Sequence, residues 1–191
     1  CDISSNTALF VPDSPSVARG KGSVSERIVK KFSSGKGGLT ERGRVMILSA
    51  SRRTDIPCYY GDWLVNRLKQ GNVWVRNPMN SGQISEIPLG TDVVDCIVFW
   101  TKDPQRFLPC LDTIDRMGYS YYFQFTLTPY GKQIEPNLRD KAGIVETFQT
   151  LSRRIGKERV QWRYDPILFN ERIGIGYHKE LFQRMCETLS P

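Results

Sequence analysis

The stretch SASRRTDIP, residues 49–57, places two arginines and an aspartate directly behind the apolar residues Val45, Met46, Ile47 and Leu48. Adjacent guanidinium groups at a strand end suit a bidentate anion or phosphate clamp, so Arg52 and Arg53 are candidate ligand contacts. Asp55 can serve as a general acid or base, or can cap the helix that follows. The same mixture recurs downstream. RNPMN contributes Arg76 and Asn77, WTKDP contributes Trp100, Thr101 and Lys102, TLTPYGK contributes Thr126, Thr128 and Tyr130, and RYDP contributes Arg163 and Asp165. Arg53, Asp55, Lys102, Arg163 and Asp165 are the candidates for chemistry. Arg52, Arg76, Asn77, Trp100, Thr101, Gln124, Thr126, Thr128 and Tyr130 are the candidates for substrate contact.

Each group has a plainer reading. Asp103 before Pro104 has the arrangement of a helix N-cap. Arg163 and Asp165 can form an ion pair that only fixes strand ends. Trp74 and Trp100 suit the core or a cavity wall, Cys96 is a small core residue inside an apolar strand, and His178 opens a helix at the surface.

The elements that must position these residues follow a rhythm. Strand-like runs cover residues 46–50, 73–75, 93–100, 121–127 and 160–164, and helical patterns cover 57–69, 104–117, 138–155 and 177–189. Between the second and third strands, NPMNSGQISEIPLGTD reads as a long loop. Alternation of this kind makes parallel strands with right-handed crossovers, and the carboxyl edge of such a sheet builds the site. Polar clusters after all five strands favour a (β/α) barrel over an open doubly wound sheet. Strand periodicity puts Gln124, Thr126 and Thr128 on one face and Phe123, Phe125 and Leu127 on the other. It likewise separates Gln161, Arg163 and Asp165 from Trp162 and Tyr164. The polar faces point to the barrel interior.

At 191 residues and 39% hydrophobic, the chain can bury a core of one domain. Its five cysteines form no CxxC pair, which fits a reducing, cytoplasmic setting, and a single histidine argues against a zinc site. No apolar run is long enough to span a membrane. Of the net charge of +7, residues 1–45 supply +4, with eight serines and six glycines. That segment reads as a disordered or non-native tail, and its SSGKGGLT lacks the spacing of a phosphate loop. The expected organisation is therefore a tail over 1–45 and the amino-terminal part of a parallel (β/α) barrel over 46–191, truncated at its carboxyl end.

MILSASRRTDIP, VRNPMN, VVDCIVFWTKDP, YYFQFTLTPYG and ERVQWRYDPIL together resemble a bacterial family called domain of unknown function 1848, from about residue 46 to 191. Longer members of that family look like radical S-adenosylmethionine proteins with a CxxxCxxC motif near the carboxyl end. RYDPIL is also similar to a motif of the spore photoproduct lyase branch, which acts on DNA. The resemblance implies a 4Fe-4S cluster and S-adenosylmethionine in a full-length protein. It implies none in residues 1–191, which hold no such motif. Three functions follow as expectations. The first is the substrate-binding part of a radical enzyme with an anionic substrate, nucleic acid included. The second is a nucleic-acid-binding module without chemistry, in which Arg52, Arg53, Arg76 and Lys102 meet phosphates. The third is a hydrolytic barrel using Asp55 and Asp165.

Overall fold

A computed structural model describes residues 46–51, 54–77, 79–80 and 82–190. The expectations placed on residues 1–45, Arg52 and Arg53 lie outside the described residues. The elements are strand β1 (Met46–Ala50), helices α1 (Ile56–Tyr59) and α2 (Gly61–Gln70), strands β2 (Asn72–Arg76), β3 (Ile84–Pro88) and β4 (Val94–Thr101), a 3-10 helix (Gln105–Cys110), helix α3 (Leu111–Arg116), strand β5 (Tyr121–Thr126), helix α4 (Lys141–Ile155), strand β6 (Val160–Arg163) and helix α5 (Ile175–Leu189). Among the described residues, no helix is long and apolar enough to cross a membrane.

Four strands form one parallel sheet in the order β1-β4-β5-β6, which is chain order without reversal. Its two faces differ sharply. One carries Leu48, Ala50, Ile97, Phe99, Phe123, Phe125 and Val160, all buried. Helices cover this face with aromatic side chains. Phe107 of the 3-10 helix meets Phe99 at 5.0 Å between ring centres, Phe148 of α4 meets Phe125 at 5.2 Å, and Phe182 of α5 stacks on Trp162 at 5.0 Å. Each fully buried ring is worth roughly 1.5–3 kcal/mol relative to exposure, so this layer dominates the core. The opposite face holds Ser49, Cys96, the buried Val98, Trp100, Tyr122, Gln124, Gln161 and Arg163. No described helix lays an aromatic ring on it.

The structure corrects several expectations. Residues 73–75 belong to β2, which pairs antiparallel with β3 in a separate two-stranded sheet, so the parallel array has four strands rather than five. The segment read as a loop contains β3. Its ISEIP sequence is mostly exposed and therefore lacks the apolar run that marks a buried strand. The base of this hairpin sits at the amino edge of the parallel sheet, where Leu89 N–H donates to Gly71 O at 2.8 Å and Tyr119 OH donates to Leu89 O at 2.6 Å. Gly71 ends α2 at φ 75, a conformation that glycine adopts without strain. Trp74 is neither core nor cavity wall, since it faces outward on the hairpin at 60% exposure. The helix read over 57–69 breaks at Tyr60, and the one over 104–117 starts as a 3-10 helix containing Pro109. The described residues form a four-stranded parallel sheet with helices on one face, the α/β part of the expected architecture.

Candidate functional site

The loop after β1 is tied to the end of β4 by one carboxylate. Asp55 Oδ1 accepts from Cys58 N–H at 2.9 Å, capping α1, while Oδ2 accepts from Thr101 Oγ1 at 3.0 Å and Lys102 N–H at 2.7 Å. Burial raises its pKa above the ordinary aspartate value, against the pull of these hydrogen bonds. Asp55 thus has both oxygens engaged in holding the rim together. Just before it, Ser51 lies at φ 97 and its Oγ accepts from Ile56 N–H at 3.0 Å.

Lys102 follows β4, and its ammonium pairs with Glu135 in the long connection between β5 and α4. Lys141, the first residue of α4, pairs with the same carboxylate, and Thr128 Oγ1 donates to it at 3.0 Å. Burial works to raise the Glu135 carboxyl, but the hydrogen bonds and charges of Lys102 and Lys141 outweigh it and hold its pKa below the ordinary value. Beside this group, Arg139 forks onto Asp103 at 2.6 and 2.8 Å and also donates to Thr147 Oγ1 at 2.8 Å. Asp103 is buried, and its Oδ1 accepts from Gln105 N–H at 3.3 Å. The N-cap reading is corrected: Pro104 holds the cap position with no side-chain cap bond, and both Asp103 oxygens are taken by Arg139.

On the opposite face of the sheet the side chains form rows set by strand register. Trp100, Gln124 and Gln161 are aligned across β4, β5 and β6, and Thr126 is aligned with Arg163 one row nearer the carboxyl edge. Trp100 Nε1 donates to Ser49 Oγ at 3.1 Å, and Gln124 Nε2 donates to Gln161 Oε1 at 2.6 Å. Arg163 lies over the Trp100 ring and grips Asp165 through Nε at 3.1 Å and Nη2 at 2.7 Å. That pairing holds the Asp165 carboxyl below its ordinary range, and the nearby charge of Lys102 adds to the effect. It also raises the pKa of Arg163. Lys102, Arg163 and Asp165 therefore share one neighbourhood.

Of the residues singled out from sequence, Asp55, Thr101, Lys102 and Thr128 meet in one hydrogen-bonded network. Trp100, Gln124, Thr126, Arg163 and Asp165 share the polar face and its edge. Tyr130 is buried, accepts from Leu168 N–H and donates to Pro166 O, both at 2.8 Å, and so fastens the loop after β6. Arg76 and Asn77 are corrected: they end a hairpin strand, not a strand of the parallel sheet. Asn77 is bonded into its own turn with Gln83 and Met79. Cys96 is corrected too. It lies half-buried on the polar face, where burial pushes its thiol up to about 11. His178 is buried rather than at the surface, with Nε2 against Leu168 O and Nδ1 against the Tyr164 hydroxyl. Glu135, Arg139 and Lys141 escaped sequence reasoning. Their signal was the charge density of the connection after β5, on the edge where parallel sheets build sites.

Among the described residues, no three His, Cys, Asp or Glu side chains are grouped as metal ligands. The family profile described as "Domain of unknown function (DUF1848)" matches residues 47–191. No curated protein and no solved structure matches the chain.

Proposed function

Since the chain belongs to the DUF1848 family over residues 47–191, we propose that this region is the substrate-binding part of an enzyme. Its site lies on the polar face and carboxyl edge of the parallel sheet and takes an anionic substrate. One observation carries this reading: Arg163 lies over the Trp100 ring and binds Asp165 through Nε and Nη2 while its Nη1 donates to nothing among the described residues. A guanidinium oriented by two partners and left with an unused edge is pre-organised for an incoming anion. Lys102 is paired with Glu135, but Lys141 shares that carboxylate, so this side of the site keeps a net positive charge. Parallel sheets are ordinarily covered on both faces, so a polar face without helix aromatics is where a ligand belongs. The winding of four strands in chain order, without a switch point, supports an arc of a (β/α) barrel whose interior is this face.

Titration of the full chain with inorganic phosphate, followed by tryptophan fluorescence, tests the site. A saturable change is expected from Trp100 beneath Arg163. Arg163→Ala should abolish it and Lys102→Ala should weaken it. Equal binding by the wild type and Arg163→Ala would remove the reading.

A further inference from the structure

We infer that the anionic substrate is a nucleoside monophosphate, an inference that rests on the enzyme site proposed above. The polar face offers two kinds of recognition in adjacent rows. The row nearer the carboxyl edge, with Thr126 aligned to Arg163, presents the guanidinium Nη1 and lies beside Lys102. The free Nη1 edge of Arg163 and the net positive charge of Lys102 and Lys141 around the single Glu135 carboxylate suit a phosphate monoester. The row below it holds the amide pair. Because Gln124 Nε2 donates to Gln161 Oε1, the pair leaves an acceptor, Gln124 Oε1, and a donor, Gln161 Nε2, without partners among the described residues. Reversing both amides would exchange the roles, leaving the donor on Gln124 and the acceptor on Gln161. Gln161 is exposed and Gln124 buried, so the pair faces outward from a fixed base.

A neighbouring donor and acceptor match the edge of a nucleobase, which presents an acceptor beside an amino or imino donor. A sugar phosphate without a base would leave that pair unused. Strand geometry sets the two rows two residues apart, about 6.6 Å. That is the scale of a pentose linking a base to its phosphate. Trp100, aligned with the amides and carrying Arg163, adds a flat wall beside them.

The probes are inorganic phosphate, ribose 5-phosphate and each of the common nucleoside monophosphates, titrated calorimetrically into the full chain. At least one nucleotide should bind about tenfold or more tighter than ribose 5-phosphate, the discrimination one good donor–acceptor match gives. Gln161→Ala, at an exposed position, should erase that preference while leaving ribose 5-phosphate unchanged. Gln161→Glu replaces the free donor with an acceptor and should shift preference toward bases that offer an amino group. Equal affinity for ribose 5-phosphate and every nucleotide, or a nucleotide preference that survives Gln161→Ala, overturns the inference and leaves the anion site standing. Failure of every phosphate-bearing probe to bind overturns both.

Discussion

The guanidinium carbon of Arg163 lies 4.6 Å from the centre of the Trp100 ring, so a residue of β6 rests on one of β4 across the intervening strand. The contact fixes the plane of the fork whose other edge binds Asp165. Trp100→Leu keeps an apolar surface and removes the ring. Cation–π contacts are worth roughly 0.5–1 kcal/mol at accessible sites, so phosphate affinity should fall about two- to fivefold. Arg163→Lys keeps the charge but loses both fork and stack, and should cost about tenfold. Calorimetric titration separates the two. Unchanged affinity in both would show that the stacked pair has no part in binding.

Glu135 gives a pH signature. Lys102 and Lys141 hold its folded-state pKa below the ordinary 4.5. The stability it contributes is therefore present above the unfolded value and lost as pH falls through the folded one. Glu135→Gln should destabilise the chain by about 1–2 kcal/mol near neutrality, the scale of hydrogen bonds to charged groups. The difference from wild type should shrink steadily below about pH 5. Urea midpoints across that range measure it. A difference independent of pH would contradict the assignment.

Ser51 makes a backbone argument testable. At φ 97 a side chain is strained, by roughly 1–3 kcal/mol, and its Oγ bond to Ile56 N–H offsets part of that. Ser51→Ala keeps the strain and loses the bond. Ser51→Gly loses both, so alanine should lower the melting temperature more than glycine does. The reverse order would mean that the turn after β1 is not strained.

The alternation of strands and helices from residue 46 was legible because Leu48, Ile97, Phe99, Phe123 and Phe125 are buried beneath helices and write continuous apolar runs. Gln124 and Gln161 were legible as a polar face through simple alternation. The β3 strand was not, because a two-stranded ribbon with an exposed face needs no apolar pattern and Ser85 and Glu86 conceal it. His178 was misread because a polar residue near a helix start looks solvated until Tyr164 and Leu168 fold back on it. Glu135 and Arg139 join the site only through contacts across 33 and 36 residues of chain, a distance that local patterns do not span.

Arg139 and Asp103 should behave as a buried pair whose loss reaches the anion site. Asp103 is almost fully buried, and among the described side chains Arg139 supplies the cation against it, so Arg139→Ala leaves an uncompensated carboxylate. Breaking a pair of this kind costs about 3–5 kcal/mol when both partners are buried, and somewhat less here because Arg139 is 32% exposed. Asp103→Asn should cost less, since the amide still accepts from Gln105 N–H and from one arm of Arg139. The double variant should be less destabilised than the sum of the singles, because the second change removes a charge that the first has stranded. Function should follow stability through position: Arg139 anchors the connection that carries Glu135, and Glu135 holds Lys102. Phosphate affinity in Arg139→Ala should fall even at temperatures where circular dichroism shows the chain fully folded. If stability drops while affinity under folded conditions stays at the wild-type value, the pair supports the core alone, and Glu135 reaches Lys102 without help from the Arg139 anchor.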